Sequence, residues 1–251
     1  MVELKEYNRE EKPNWCPGCG NYGIITAVKK TLAELKFKSE NTVLVSGVGC
    51  FAKLPYWVKV NGFVGLHGRS LPVAQGVKLA NPKLNVIAFG GDGDGYGEGG
   101  NHFIHACRRN VDITYIVHNN SVFGLTTGQY SPTAEKGRKS KSSLLGSTEN
   151  PINPLALAIA SGATFVARAY AGHLKETVEI LKKAVEHKGF AFVDIIQACV
   201  TYQPEKNLEY FKDKIVYVKE DSQQSNKLKA MELAFKDDQI YCGIIYSGEK
   251  E

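Results

Sequence analysis

Short apolar runs alternate with longer amphipathic segments along most of the chain, and this pattern predicts strands joined by helices. The predicted strands are apolar runs bounded by glycine or polar residues, at residues 42–46, 85–90, 113–118, 163–168 and 191–196. The predicted helices alternate with these runs, at residues 24–35, 73–79, 155–161 and 174–187, and a crossover helix lies between residues 90 and 113. We therefore predict an α/β fold with a mostly parallel sheet flanked by helices on both faces.

The pattern changes after residue 201, where the sequence becomes charged and aromatic. One short helix is predicted there, at residues 226–235, and no second hydrophobic core. The sequence therefore predicts an α/β domain at residues 1–201 and a C-terminal arm at residues 202–251 that packs on a partner subunit.

Charge and composition narrow the possible classes of function. The 251 residues carry a formal net charge of +5 and contain no motif that reads nucleic acid, so no nucleic-acid partner is expected. Residues 1–15 are charged and lack the apolar segment of a signal peptide. The longest apolar-leaning run, residues 155–167, is too short to span a bilayer. We expect a cytoplasmic protein without a membrane segment.

Polar residues follow two of the predicted strands. Asp92 lies between Gly91 and Gly93 after the second strand, and Asn120 follows the third. Because the carboxyl ends of parallel strands meet at one edge of a sheet, Asp92, Asn120 and the carbonyl of Val122 can bind Mg²⁺ together. The glycines allow the backbone to approach a diphosphate closely. The alternative is a pair of ordinary glycine and Asx turns without a ligand.

Six cysteines are too sparse for a disulfide scaffold, and their grouping indicates metal or redox chemistry. Cys16 and Cys19 form a Cys-x-x-Cys knuckle, whereas Cys50 and Cys199 each follow a predicted strand, so these cysteines can converge at one sheet edge. The knuckle alone is compatible with a zinc half-site, a dithiol or two ligands of an iron–sulfur cluster. Cys50 alone also fits a small buried apolar residue. The remaining cysteines lie in the crossover helix, where packing is expected, and in the C-terminal arm: Cys107 and Cys242.

Two further segments carry positive charge. His67, Gly68 and Arg69 precede a predicted helix, where an arginine and free backbone amides suit an anionic ligand, although these residues also fit a solvated turn. Residues 135–143 form a basic loop. This loop is either a solvated surface or a docking patch for an acidic redox partner or for the phosphates of coenzyme A.

Several blocks between Trp15 and Thr201 together resemble one protein family. The GDG and NN pair looks like the thiamine diphosphate motif, and the wider sequence is similar to the beta subunit of 2-oxoacid:ferredoxin oxidoreductases. The blocks are WCPGCGNYGI, SGVGCFAKLP, GLHGRSLPVAQGVKLANP, GDGDGYGEGGNHFIHACRRN, NNSVFGLTTGQYSPT and DIIQACVTY. This resemblance implies the diphosphate-binding half of a thiamine diphosphate-binding fold.

The resemblance also implies roles for individual residues. The four matching cysteines would ligate one [4Fe–4S] cluster: Cys16, Cys19, Cys50 and Cys199. Magnesium would be held by Asp92, Asn120 and the carbonyl of Val122, and Lys53 would bind the carboxylate of the substrate. The residues expected to line thiamine diphosphate are Val48, Gly49, Cys50, Phe51, His67, Gly68, Arg69, Gly93, Asp94, Gly124 and Leu125.

Members of this family decarboxylate a 2-oxoacid on thiamine diphosphate, transfer electrons through the cluster to ferredoxin and form acyl-coenzyme A. The resemblance therefore implies a catalytic beta subunit. We expect it to be active only with an alpha, or alpha and gamma, partner, because we find no second thiamine-type domain in the 251 residues. The alternatives are the diphosphate-binding half of a non-oxidative thiamine diphosphate decarboxylase and a non-catalytic iron–sulfur or zinc subunit that transfers electrons or scaffolds a complex.

Two positions depart from the family's pattern. Thr127 stands where the family's LTKGQ run has lysine, which predicts a substrate that differs from 2-oxoglutarate or is smaller and less acidic. Ala198 stands where the family has proline before the last cysteine, so this loop loses a rigid turn but keeps its thiolate.

Overall fold

Strands and helices alternate along the chain in the computed structural model, which describes residues 4–219 and 222–249. The strands are β1 (Thr42–Ser46), β2 (Asn61–Val64), β3 (Asn85–Gly91), β4 (Ile113–Asn119), β5 (Val122–Phe123), β6 (Gln129–Tyr130), β7 (Phe165–Tyr170), β8 (Phe190–Ile196), β9 (Ile215–Tyr217) and β10 (Ile240–Ser247). The helices are α1 (Asn21–Glu34), α2 (Ser70–Ala80), α3 (Gly100–Arg109), α4 (Pro154–Ala160), α5 (Leu174–Glu186), α6 (Leu208–Lys212) and α7 (Lys227–Ala234).

Shorter helical turns complete the chain. They are 3-10 helices at Leu4–Tyr7, Ser39–Asn41, Cys50–Trp57 and Ser222–Ser225, and a π-helical turn at Gly93–Glu98. Every strand and helix predicted from the sequence is present, with its ends shifted by a few residues. Of the helices in the described residues, none is both long enough and apolar enough to cross a lipid bilayer.

Eight strands of the described residues form one sheet, in the order β2–β1–β3–β4–β8–β7–β10–β9. In this order, each strand from β2 through β1, β3, β4 and β8 to β7 runs parallel to its neighbour. β10 pairs antiparallel with β7, and β9 pairs parallel with β10. The prediction of a mostly parallel sheet is therefore confirmed.

Helices cover both faces of the sheet because the central strands are apolar on both sides. α1 and α5 pack together on one face, over side chains such as Phe89 and Val193. α2, α3, α4 and α7 cover the other face, over Ala88 and Phe192. Adjacent residues of one strand thus enter different cores, as the pleat of a strand requires. The prediction of helices on both faces is confirmed.

Tyr115 anchors the glycine-rich turn that follows β3. A Cβ atom on either Gly90 or Gly95 would lie 2.1 Å from the Tyr115 hydroxyl oxygen, so both positions need glycine. The ring of Tyr115 packs against Phe103 and Phe192 in the core. The glycine-rich turn therefore packs directly against the aromatic core, and this contact determines its position relative to the sheet.

The described residues after 201 extend the sheet through β10 and β9, two strands that the sequence analysis did not predict. Gly243 and Ser247 of β10 lie opposite Arg168 and Phe165 of β7. Side chains from α7 and β10 are buried in the same core as α2, α3 and α4: Ala230, Ala234, Ile245 and Tyr246. They are buried because β10 covers the edge of β7. The boundary at residue 201 and the contact with a partner subunit stay predictions.

The order of the strands creates a crevice at the carboxyl ends of the parallel strands. From β1 the chain moves outward to β2 and then returns to the other side of β1 as β3. The segments after β1 and β3 therefore diverge, and open α/β sheets bind their ligands at such a switch point.

Shortening the chain tests whether the C-terminal segment belongs to the same folding unit. We expect a chain that ends at Thr201 to aggregate or unfold, because it exposes the edge of β7 and removes the buried side chains of Ile245 and Tyr246. A control chain that ends at Gly248 keeps β10 and should retain the urea transition of the full chain. Circular dichroism during urea unfolding compares them, and a transition of the parent's midpoint in the 1–201 chain would contradict this expectation.

Candidate active site

A cavity of about 120 Å³ opens at the switch point, between the segments that follow β1, β3 and β4. Most of the residues predicted to line a cofactor border it: Val48, Gly49, Cys50, Phe51, His67, Gly93, Asp94, Gly124 and Leu125. The predicted magnesium ligands border the same cavity: Asp92, Asn120 and Val122. The fold therefore brings residues from separate parts of the sequence to one place.

The carboxylate of Asp94 joins the segments around this cavity. Its Oδ1 accepts hydrogen bonds from the backbone N–H groups of Val48 (2.9 Å) and Gly68 (2.8 Å), and Nε2 of His67 lies 3.7 Å away. Burial raises the pKa of Asp94 to about 6, although these hydrogen bonds and His67 act in the opposite direction. A Cβ atom on Gly47 would lie 2.4 Å from each carboxylate oxygen. Glycine at this position therefore leaves room for the carboxylate.

Asp92 rests on a buried polar network. Its carboxylate accepts hydrogen bonds from the hydroxyls of Ser131 and Thr133, the latter at 2.9 Å. The Thr133 hydroxyl also lies 2.9 Å from Oδ1 of Asn119, and because it carries one hydrogen it serves one of these acceptors at a time. Nδ2 of Asn119 donates to Asp194 at 3.0 Å. Burial raises the pKa of Asp92 to about 6, so a cation beside it would favour the ionised form.

The end of β4 connects the cavity to the start of α1. Oδ1 of Asn120 accepts a hydrogen bond from the N–H of Val122 at 3.1 Å, which closes an Asx turn. His118 is buried beside the cavity, and its Nδ1 lies 2.8 Å from Oδ1 of Asn21. Burial lowers the pKa of His118 to about 3, so its ring is neutral and Nδ1 carries the proton that it donates to Asn21.

The knuckle at residues 16–19 is a tight turn. The N–H of Cys19 donates to the carbonyl of Cys16 at 3.0 Å. Pro17 occupies the second position of the turn, and Gly18 the third with a φ of +80°. This is the arrangement of a type II turn, which needs glycine in the third position. It holds the two cysteines close together.

Hydrogen bonds connect the knuckle to the other two cysteine segments. Nε1 of Trp15 donates to the carbonyl of Cys50 at 2.6 Å, and the N–H of Gly20 donates to the carbonyl of Ala198 at 3.4 Å. A Cβ atom on Gly124 would lie 3.5 Å from Sγ of Cys50 and 3.8 Å from Sγ of Cys199. The thiols after β1 and β8 therefore face the same point, beside the knuckle.

These thiols are close enough to affect one another's ionisation. Burial raises the pKa of Cys19 to about 11, and negative charge on Cys199, Cys50 or Cys16 adds to the increase. Burial and Cys199 also raise the pKa of Cys50, whereas Lys53 lowers it. Thiolates at all of these positions would therefore require a positively charged centre. In the described part of the chain, no group of three or more His, Cys, Asp and Glu side chains is placed to hold a single metal ion.

Three residues that the sequence predicted to bind the cofactor or the substrate do not border the cavity: Lys53, Gly68 and Arg69. Nζ of Lys53 donates to Oδ1 of Asn14 at 3.2 Å. Nη1 of Arg69 donates to the carbonyl oxygens of His67 and Glu98, at 3.4 and 3.2 Å, so the guanidinium braces its own turn. A role for Lys53 or Arg69 toward a ligand stays a prediction from the sequence. Cys16, Cys19, Cys50 and Cys199 are together named the thiol group. The other two cysteines, Cys107 and Cys242, are buried in the cores.

The sequence analysis missed the residues that support the site, which are Asn21, His118, Asn119, Ser131, Thr133 and Asp194. Asp194 gives a detectable signal, because an acidic residue inside an apolar strand must be paired when the strand is buried. Ser131 and Thr133 give none, since nothing in a short polar segment shows which distant carboxylate it contacts.

Comparison with known proteins identifies the family. Residues 41–195 match the C-terminal TPP-binding domain of thiamine pyrophosphate enzymes, and residues 199–251 match the C-terminal region of the pyruvate ferredoxin oxidoreductase beta subunit. The beta subunit of 2-oxoacid:ferredoxin oxidoreductase 1 from Aeropyrum pernix is 49% identical over 218 residues, which cover 87% of this chain and 69% of that protein. This chain belongs to the beta subunits of 2-oxoacid:ferredoxin oxidoreductases.

Further comparisons agree with this beta-subunit family. The 2-oxoacid:ferredoxin oxidoreductase beta subunit from Saccharolobus solfataricus is 47% identical over 254 residues, which cover 94% of this chain and 82% of that protein. The structure of 2-oxoglutarate:ferredoxin oxidoreductase from Magnetococcus marinus, with 2-oxoglutarate, coenzyme A and succinyl-CoA bound, matches with a TM-score of 0.96 at 39% identity, covering 99% of this chain and 86% of that chain. The resemblance found in the sequence is therefore confirmed.

Replacing Asp94 tests how this beta subunit holds its cavity together. We expect Asp94→Ala to raise amide hydrogen exchange at Val48 and Gly68 by about 10- to 100-fold, because a hydrogen bond to a charged group contributes about 1.5–3 kcal/mol. Asp94→Asn keeps an oxygen acceptor and should change the exchange less. Hydrogen-exchange mass spectrometry measures both variants, with peptides from α5 as an internal reference. Equal exchange in the parent and Asp94→Ala would refute the bridging role.

Proposed function

We propose that this chain, with an alpha-type partner, catalyses the oxidative decarboxylation of a 2-oxoacid in the presence of coenzyme A. The products are acyl-coenzyme A and CO₂, and two electrons leave one at a time to two molecules of ferredoxin. The observation that carries this proposal is that Cys50 and Gly124 border the cavity, while the sulfur atoms of Cys50 and Cys199 both lie close to Gly124. Electrons released at the cavity therefore have a short path to a redox centre held by cysteines.

The donor atoms around the cavity suit thiamine diphosphate bound through Mg²⁺. The buried carboxylate of Asp92, the amide of Asn120 and the carbonyl of Val122 are all oxygen donors, which Mg²⁺ prefers. Mg²⁺ would offset the burial that raises the pKa of Asp92. Gly49 and Gly93 would let the backbone approach the diphosphate. When bound, thiamine diphosphate supplies the carbanion stabilisation that loss of CO₂ requires.

The thiol group suits a [4Fe–4S] cluster. Negative charge on neighbouring cysteines raises the pKa of Cys19, Cys50 and Cys199, yet the cysteines among the described residues do not form a site for a single ion. A cluster is larger than one ion and needs more widely spaced thiolates. Backbone N–H groups point at the sulfur atoms, from Asn21 to Cys19 and from Thr201 and Tyr202 to Cys199. Such hydrogen bonds tune the reduction potential of iron–sulfur clusters.

Aromatic side chains form the apolar walls of the cavity. The ring of Phe51 lies 3.0 Å from the position of a Cβ atom on Gly91, and the ring of Phe123 lies 2.3 Å from the corresponding position on Gly93. His67 packs edge-on against Phe123, with 6.2 Å between ring centroids. These rings exclude water from the glycine backbone, so the few polar groups of the cavity act in a low-dielectric setting.

The rim of the cavity is suited to contact with a partner subunit. Val48 and Leu125 border the cavity and are 39% and 50% exposed, and Leu66, next to His67, is 77% exposed. Covering these side chains would remove apolar surface from water and would stabilise association. We propose that an alpha, or alpha and gamma, subunit covers this rim and completes the site.

The substrate range depends on the segment after Gly124. Thr127 is exposed and adopts a φ of +78°, and it introduces no positive charge near the cavity. We propose that small 2-oxoacids such as pyruvate are substrates and that a second carboxylate gives little advantage.

The first experiment measures composition and turnover of the complex with its partner subunit. We expect iron, acid-labile sulfide and thiamine diphosphate together, and reduction of a viologen dye with coenzyme A and a 2-oxoacid from a panel. Thiamine diphosphate without iron would favour a non-oxidative decarboxylase. Iron without thiamine diphosphate would favour an electron-transfer subunit.

A matched pair of cysteine variants makes the iron–sulfur assignment specific. We expect the iron content to decrease from about four atoms per chain in the parent to well below one in Cys50→Ser, because a thiolate ligand is removed. This variant should also lose viologen reduction. Cys107→Ser also replaces a buried cysteine, but it lies in α3 and should keep its iron. Iron analysis and electron paramagnetic resonance measure both. Equal iron in the two variants would sink the assignment.

Restoring the family's lysine tests substrate choice. We expect Thr127→Lys to raise kcat/KM for 2-oxoglutarate relative to pyruvate by about tenfold, because a hydrogen bond between charged groups contributes about 1.5 kcal/mol or more. The backbone should tolerate the change, since a β-branched residue is already unfavourable at positive φ. Thr127→Gln supplies a long side chain without charge as the control. The same ratio for the Lys and Gln variants would count against this role.

A further inference from the structure

The basic segment expected from the sequence forms an ordered hairpin beside the thiol group, and we name residues 135–147 the basic hairpin. Its arms are joined by hydrogen bonds from the N–H of Gly137 to the carbonyl of Ser147 (2.7 Å) and from the N–H of Ser147 to the carbonyl of Arg138 (2.9 Å). Ser140 and Ser143 exchange two further bonds at 3.1 Å. Backbone hydrogen bonds therefore hold the hairpin in a defined conformation.

Arg138 attaches this hairpin to the segment that carries Cys199. Nη2 of Arg138 donates to the carbonyl of Tyr202 at 2.9 Å, and Nη1 lies 3.6 Å from Glu205. The basic hairpin therefore lies beside the segment that carries Cys199.

The outer part of the basic hairpin carries unpaired positive charge. Lys136, Lys139 and Lys141 are exposed, and no described residue forms an ion pair with their ammonium groups. The acidic residue of the hairpin, Glu135, is already paired with Lys206. The free lysines therefore present an attractive potential to a negatively charged protein.

The tip of the basic hairpin adds apolar surface to this charge. Leu144 is 77% exposed and Leu145 is 97% exposed. A single exposed leucine is ordinary, but two adjacent ones beside unpaired lysines form a mixed patch suited to binding a protein. Phosphates of a small ligand would need the lysines but would leave the leucines without a contact.

We propose that the basic hairpin is the docking surface for a small acidic electron-carrier protein, which takes electrons from the cluster held by Cys16, Cys19, Cys50 and Cys199. This inference rests on the proposed function. In each encounter the cluster is oxidised by one electron and the redox centre of the carrier is reduced by one, and no bond forms or breaks. Docking at this hairpin places the carrier next to Cys199, where the path for the electron is short.

Charge reversal tests the lysines in the complete complex with its partner subunit. The probe is a strongly acidic ferredoxin, and calorimetry measures its Kd at low and high salt. We expect Lys139→Glu with Lys141→Glu to raise Kd about 10- to 100-fold at low salt and to flatten its salt dependence, because the attraction is electrostatic. The control is Lys38→Glu with Lys83→Glu, which makes the same charge change at exposed residues. These residues precede β1 and β3, at the edge of the sheet opposite the cavity, and their substitution should leave Kd nearly unchanged.

A second pair of substitutions tests the apolar tip. We expect Leu144→Ser with Leu145→Ser to raise Kd about tenfold while the salt dependence stays the same, because apolar contact is insensitive to screening. Viologen reduction with coenzyme A should be unchanged in all these variants, since a small dye does not need the hairpin.

The outcomes separate the docking surface from the proposed function. Equal ferredoxin Kd in the hairpin and control variants would overturn the inference, as would a rise in the Kd of coenzyme A in the lysine variant. Loss of the partner subunit during purification of a hairpin variant would also overturn it and would make the hairpin a subunit contact. Absence of viologen reduction by the parent complex with every 2-oxoacid would instead reject the proposed function itself.

Discussion

A buried carboxylate, Asp194, holds the polar groups beneath the cavity in place. It accepts hydrogen bonds from Nε of Arg168 (2.9 Å), the hydroxyl of Tyr96 (2.9 Å) and Nδ2 of Asn119 (3.0 Å). A charge inside a sheet is strongly unfavourable unless it is paired and fully hydrogen-bonded, and these partners meet that condition. Arg168 is its direct neighbour across β7 and β8, so the register of the two strands and the position of Asn119 depend on the same contact. Beyond Asn119 lies the Thr133 hydroxyl, which is 2.9 Å from both Asn119 and Asp92 and donates to one of them at a time.

This arrangement gives the site a rigid polar base and a glycine-rich upper part. The base is made by strands β4, β7 and β8, whereas the upper part consists of turns that follow β1 and β3 and are joined through Asp94. Glycine is needed where side chains from other segments approach, as at Gly47 and Gly93. Preorganisation of this kind costs free energy during folding, but it reduces the free-energy cost of ordering the site when a ligand binds.

The fold and most residues around the cavity could be predicted from the sequence because their signals are local. For example, an apolar run followed by Gly91, Asp92 and Gly93 predicts a strand, and it also predicts the edge of the sheet at which the following polar residues lie. Three strands of the large sheet gave no such signal: β2 is mostly exposed, β9 has three residues, and β10 is stabilised by pairing with β7, far away in sequence. The support of Asp92 by Thr133 and the contact of Lys53 with Asn14 also depend on tertiary packing, which residue patterns do not contain.

Cys50 borders the cavity, and its sulfur atom lies close to Gly124, as does the sulfur atom of Cys199. One residue thus belongs both to the cavity and to the group of cysteines, so a substitution of Cys50 affects both. Under the proposed function, the redox potential of the cluster and the fit of the substrate consequently cannot be adjusted independently at this position. Independent adjustment requires residues with one proposed role alone, such as Thr127 in substrate choice or the lysines of the basic hairpin in docking the electron carrier.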